Sequence, residues 1–224
     1  TEHIKKRYAS LYSGVFFQRY ILGLWVVAEG IIYDMFSEAK HVVERVTGQE
    51  QSKYYVSCDY GTQNATVFLM WQSGSNGKWY CIDEYYYSGR DETTQKTDNE
   101  YADDLEKFIG DKKIEAVIID PSAASFIALL RKRGIKIIKA RNDVLDGIRF
   151  VGTLLNTGGI FFLRKCKNTI KEFGSYIWDT KACERGEDKP IKQHDHAMDA
   201  VRYFCFTILY KPKAKLNTNI TGGI

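Results

Sequence analysis

The sequence lacks several features that would assign it at once. It has no C-x-x-C pair: Cys58, Cys81, Cys166, Cys183 and Cys205 are odd in number and widely spaced. That argues against a zinc site of the usual spacing and for free thiols, several of them small core residues, in a reducing compartment. No G-x-x-x-x-G-K-[ST] loop occurs, so ATP hydrolysis through such a loop is not expected. No signal peptide is expected. The most apolar stretch, Val15 to Phe36, is broken by Gln18, Arg19, Glu29 and Asp34. It falls short of the ~18 clean apolar residues that a membrane span needs. A soluble, intracellular protein without membrane contact is expected. Strong charge is missing too: 32 basic against 28 acidic residues leave +4, which permits a polyanionic partner without requiring one.

What is present is a chain of 224 residues, 44% of them hydrophobic, enough for one domain with an appendage. Residues 1–47 read as a linker or helical segment. Glu2 to Tyr12 is polar and helix-compatible, and the aromatic run from Phe16 to Trp25 is suited to packing on the domain's sheet or on a neighbouring domain. Residues 48–210 read as the main domain, and 211–224 as a flexible basic tail.

Within the main domain strands and helices alternate. Tyr54–Asp59, Ala65–Trp71 and Trp79–Tyr87 are apolar or aromatic runs. The separator before the third ends in Asn76-Gly77, so an antiparallel meander is expected. Tyr101, Leu105, Phe108 and Ile109 mark a helix over Thr97–Ile109, with Asp98 or Asn99 as its N-cap. Ala116–Ile119 is a doubly buried strand. Helices are expected over Ser122–Arg133, Asp143–Leu155, Lys165–Trp178 and His194–Tyr210, and a fifth strand over Ile135–Ile138. Ile160–Leu163 reads as a short strand or an extended link, and Asp179–Gln193 as a loop or loose hairpin. The resulting α/β order fits a mixed five-stranded central sheet flanked by helices, the plan of a ribonuclease H-like fold, which on periodicity alone is one of several α/β options.

Three acids sit where such a sheet would bring them together: Asp59 ending the first strand, Asp120 ending the fourth, and Asp199 on the last helix. Hard cations such as Mg²⁺ and Mn²⁺ take oxygen ligands. Two of them about 3.5–4 Å apart can activate water and stabilise the leaving oxygen of a phosphodiester. Gly61 would let a phosphate backbone approach. The plainer reading is that Asp59 and Asp120 are turn formers or helix caps, and that Asp199 merely pairs with Arg202 at i+3. Asp195 and His196 share the Asp199 face. Asp195 is a further metal ligand or a dipole-favoured terminal residue. His196 is a ligand, a proton donor or a bystander. One of Asp83 and Glu84 is expected to face the site.

Cys58-Asp59-Tyr60-Gly61-Thr62, Ile118-Ile119-Asp120-Pro121-Ser122-Ala123 and Asp195-His196-Ala197-Met198-Asp199-Ala200-Val201-Arg202-Tyr203 together resemble the nuclease domain of tailed-bacteriophage terminase large subunits. Gly186-Glu187-Asp188-Lys189-Pro190 fits the same family, and Trp25 to Asp34 resembles its link between packaging ATPase and nuclease. The resemblance implies a metal-dependent endonuclease that cuts double-stranded viral DNA concatemers at initiation and when the head is full, with little sequence specificity of its own. It carries the catalytic acids onto Asp59, Asp120 and Asp199, and implies Mg²⁺ or Mn²⁺. The implied partners are the ATPase domain of the same full-length chain, the small terminase subunit and the portal of the procapsid, in the cytoplasm of the infected host. For DNA contact Lys181, Arg185, Lys189 and Lys192 are favoured, because they directly precede the catalytic helix; salt-sensitive, non-specific binding is expected. Competing readings are another ribonuclease H-like nuclease (a junction resolvase or transposase core), an actin-like ATPase fragment suggested by Asp59-Tyr60-Gly61-Thr62, and a non-enzymatic docking module.

Overall fold

The computed structural model describes residues 11–48, 52–61, 64–88 and 94–211. Apart from their inner ends, the helix expected over Glu2–Tyr12 and the basic tail lie outside them. The first elements are the helices α1 (Gly14–Tyr20) and α2 (Glu38–His41) and the two-residue strand β1 (Val42–Val43). Then β2 (Tyr54–Asp59), β3 (Ala65–Ser73) and β4 (Trp79–Ser88) form the antiparallel meander. Gly77, at φ +73 in the turn before β4, takes the left-handed backbone that glycine adopts without penalty.

Helix α3 (Asp98–Ile109) follows. Its N-cap is Thr97 instead of Asp98 or Asn99: the Thr97 hydroxyl accepts from the Glu100 amide while Glu100 reaches back to the Thr97 amide, a reciprocal capping box. Next come β5 (Ile114–Ile119), α4 (Ala124–Lys132), β6 (Ile137–Lys139), α5 (Val144–Asn156) and β7 (Ile160–Leu163). Last are α6 (Lys167–Ser175), the short α7 (Thr180–Glu184) and α8 (His196–Phe204), which continues as a π-turn over Cys205–Leu209. Helix α7 lies in the segment read as a loop; Asp179 caps it by accepting from the Ala182 amide at 3.0 Å.

The sheet has seven strands in the order β1-β7-β4-β3-β2-β5-β6. The two additions to the expected five are β7, parallel to β4, and β1, parallel to β7. Alternation along β3 sends Val67, Leu69 and Trp71 to one face and Phe68 and Met70 to the other. The second face is covered by Tyr101 and Leu105 of α3 and Phe126, Ile127 and Leu130 of α4. The first is covered by α5, α6 and α8 and by Phe16, Ala28, Ile32 and Tyr33 of the N-terminal segment. That segment is also tied by the Ile32 amide to the Tyr176 carbonyl at 2.9 Å. All five cysteines are free and buried. Among the described residues no helix is long and apolar enough to cross a membrane.

Candidate active site

Alternation and strand pairing place the first two acids. Ser57 accepts from the Trp71 indole at 2.9 Å on the α8 face, so Asp59, two residues on, keeps that face. Ile118 belongs to the same face of the core, and Asp120 shares its parity. Cys58 is paired with Ile119 across the parallel β2–β5 ladder, so Asp59 and Asp120 each follow that pair at the carboxyl ends of adjoining strands about 5 Å apart. Helix α8 crosses this face and is buried from Ala197 to Phe204. Phe204 anchors it by stacking on Trp71, with ring centroids 4.3 Å apart.

Asp59 Oδ2 lies 2.9 Å from His196 Nδ1. Asp199 Oδ1 accepts from Arg202 Nη2 at 2.8 Å, and its Oδ2 accepts from Lys192 Nζ at 3.2 Å. Lys192 Nζ is also 3.1 Å from Asp195 Oδ2. That contact is within ion-pair range, but its angles make no hydrogen bond, so Asp195 Oδ2 is buried without one. Asp59, Gly61, Lys192, His194, Asp195, His196 and Asp199 all line one cavity of about 330 Å³. Asp120 is not on its wall. It accepts from the Ser122 amide at 2.8 Å and from Asn142 Nδ2 at 3.2 Å. Burial pushes the hydroxyl of Tyr203 upward, and the charges of Asp199, Asp59 and, more weakly, Asp120 add to the shift while Arg202 opposes it.

These surroundings divide the carboxylates. Burial pushes Asp59 up to about 6; the hydrogen bond to His196 opposes the shift, and the charges of Asp199 and Asp195 add to it. Burial alone would lower His196, but the bond to Asp59 and the charges of Asp59, Asp195 and Glu172 outweigh it and raise the imidazole. Burial also opposes ionisation of Asp120, yet hydrogen bonds from Ser122, Asn142 and Tyr203 hold it below the usual carboxylate range.

The remaining expectations fare differently. Lys181 and Arg185 stand exposed at α7, and Lys189 pairs with Glu187 at 3.2 Å; none of the three is on the cavity wall, where only Lys192 of that group stands. Neither Asp83 nor Glu84 lines the cavity. Asp83 pairs with Lys165 at 2.7 Å, while Glu84 accepts from the Asn168 and Thr169 amides at the start of α6. The i+3 partner Arg202 is indeed on Asp199, with Lys192 as a second partner.

Two positioning residues escaped the sequence. Glu172 of α6 is 4% exposed. Its Oε2 accepts from the Ala197 and Met198 amides at 2.8 and 3.3 Å and its Oε1 from the Tyr86 hydroxyl. It thus caps α8 from another helix. Gly147 of α5 lies against Arg202: a Cβ there would come within 2.5 Å of Arg202 Cγ. A glycine inside a helix costs about 1 kcal/mol against alanine and therefore signals a packing reason.

Among the described residues no three His, Cys, Asp or Glu are gathered as ligands for one ion. The donors nevertheless fit a hard divalent cation in kind. They are carboxylate oxygens; Asp195 Oδ2 is buried without a hydrogen bond, and burial disfavours the charge of Asp59, which a cation would offset. Positive charge is supplied instead by Lys192, Arg202 and His196.

No family model matches the sequence. The large terminase of a thermophilic bacteriophage, solved in more than one crystal form, is 60% identical, with a TM-score of 0.89 over 94% of this chain and 53% of that one. The large-subunit terminase of Escherichia phage T5 is 26% identical over 192 residues, which are 81% of this chain and 43% of that protein. The nuclease domain of the P22 large terminase shares the fold at 16% identity, with a TM-score of 0.64 over 78% of this chain and 90% of that domain. The chain spans about half the length of the full-length relatives it matches. Over that half it is a homologue of phage terminase large subunits, with the ribonuclease H-like fold of their nuclease domains.

Proposed function

We propose that the chain is a divalent-metal-dependent endonuclease that cuts double-stranded viral DNA during genome packaging. The observation that carries this reading is the convergence of acids distant in sequence. Asp59 and Asp199 share one cavity wall, and Asp120 stands beside Asp59 at the same end of the sheet. The residues that would hold the ions are Asp59, Asp120, Asp199 and the buried Asp195. Mg²⁺ or Mn²⁺ is the natural choice for such oxygen donors. A structure of the G20c large terminase nuclease with bound cobalt supports a divalent ion in this fold. Held by these carboxylates, two such ions would supply Lewis acidity for a phosphate and make water a stronger nucleophile.

The chain's own residues do the rest. His196 orients the Asp59 carboxylate and holds a proton near it at Nδ1. Arg202 fixes Asp199 from the buried side. Lys192, at the cavity mouth, is the cation best placed to meet a phosphate. Phosphate contacts carry no sequence information, so cutting is expected at many sequences. The further partners are the packaging ATPase domain of the same full-length chain, joined through residues 1–47, the small terminase subunit and the portal of the procapsid, in the host cytoplasm. Cleavage of concatemers at initiation and at headful completion follows from that assignment.

The test is cleavage of plasmid DNA with Mn²⁺. Asp59→Asn, Asp120→Asn and Asp199→Asn should each abolish it while leaving the circular dichroism unchanged. Retained cutting in any two would remove the site assignment. A marked preference for branched over linear and supercoiled DNA would point instead to a junction-resolving enzyme.

A further inference from the structure

The two oxygens of Asp199 are held differently. Oδ1 is taken by Arg202, which is 2% exposed and is pinned on its far side by the Asn142 carbonyl at 3.0 Å and by the close packing of Gly147. It has nowhere to go. Oδ2 is taken by Lys192, whose side chain is 64% exposed, against 10% for Asp199 and 6% for Asp195. A flexible stem therefore reaches down from solvent and sets one ammonium between two buried carboxylates one helical turn apart. Those are the oxygens a cation bridging Asp195 and Asp199 would use. The residue after next, His194, also lines the cavity and sits at φ +52, a left-handed backbone that non-glycine residues rarely adopt. Asp59, at the end of β2, is turned to His196 and has no comparable contact with Lys192.

Building on the nuclease reading, we propose that Lys192 is a tethered counter-ion that competes with the divalent cation for Asp195 and Asp199. The free protein then holds its carboxylates apart from a ligand cluster by internal neutralisation, and an ion enters by displacing the ammonium into solvent. The exchange is a matter of charge and geometry: one cation leaves the two oxygens and another takes them. Lys192 thus sets the metal affinity of the site instead of adding to the ligand set.

The experiment is calorimetric titration of Mn²⁺ into the metal-free chain without DNA. It compares the wild type with Lys192→Met, which keeps the stem and removes the charge, and with Lys192→Arg, which keeps the charge. Lys192→Met should bind Mn²⁺ about tenfold more tightly, within the range of coupling between competing ligands, and should gain more melting temperature from Mn²⁺ than the wild type does. Lys192→Arg should stay closer to the wild type. If Lys192→Met does not fold like the wild type by circular dichroism, Lys192→Gln takes its place. Equal or weaker Mn²⁺ binding by the uncharged variant overturns the competition and leaves the nuclease reading standing. Absence of Mn²⁺ binding by wild type and variant alike overturns both.

Discussion

At the scale of single residues, the Asp59–His196 pair makes the protein sensitive to pH. Asp59 titrates near 6 in the folded chain because burial disfavours its charge, and His196 is raised by its acidic neighbours once they outweigh burial. A raised folded pKa means the folded state binds the proton more tightly than the unfolded chain does. The contribution of each group is therefore full below its unfolded pKa and lost as pH rises through the folded value. For Asp59 the loss falls between the ordinary 3.8 and about 6. In metal-free protein the melting temperature of Asp59→Asn should gain on the wild type across that window, and saturating Mn²⁺ should flatten the wild-type decline. A difference between the two proteins that does not change with pH would contradict this assignment.

Gly147 belongs to the same scale. Ala at this position drives its Cβ into the Arg202 stem, and overpacking of this kind costs about 1–3 kcal/mol. A chemical melt should show the loss, and cleavage should fall further because Asp199 loses its fixed partner. Asp199 stood out in the sequence, since a carboxylate inside an apolar helix demands a partner or an ion, and the fold gives it Arg202 and Lys192; Asp59 and Asp120 stood there only as strand-end acids, which also form turns and caps. Lys192 and Glu172 were not legible in these roles: each acts on a residue that only the fold brings near.

At the scale of elements, the site depends on how α8 is held. Its far end is anchored by Phe204, stacked on Trp71 and set edge-on to Trp79 at 5.1 Å. Truncating a buried aromatic to alanine costs about 3–5 kcal/mol, so Phe204→Ala should lower the denaturation midpoint by a corresponding amount. Its near end is capped by Glu172 from α6. Glu172→Gln keeps an acceptor oxygen but removes the charge that helps to raise His196. The pH profile of cleavage should shift toward acid with little change in melting temperature, and a stability loss without a shift would make Glu172 merely structural.

The long elements are readable because their periods repeat several times. Strands β2 to β4 show alternation and an Asn-Gly turn, and α3, α5 and α8 show a helical stripe. Strand β1 has only two residues and β7 four, too few to display a period; their addition at the β4 edge is a tertiary event. Helix α7 hides in a polar segment because only its Asp179 cap marks it. The N-cap of α3 stands one residue before the nearest acid, and the mark that gives it away is the reciprocal Thr97-x-x-Glu100 pattern.

At the scale of the whole molecule, the carboxyl end of the sheet is where charge is concentrated and balanced from within. Lys192, His196 and Arg202 hold Asp59, Asp195 and Asp199, and the balance leaves Asp59 partly protonated just below neutrality. A divalent ion that binds this arrangement and not the unfolded chain must stabilise it by mass action, which a melting curve with and without Mn²⁺ would register. The most direct test is anomalous diffraction from a crystal soaked in Mn²⁺. The account predicts density between the carboxylates of Asp59 and Asp120, with Asp199 turned to the same ions and Lys192 withdrawn. Density found only at surface acids, with Lys192 still seated between Asp195 and Asp199 at saturating Mn²⁺, would contradict it.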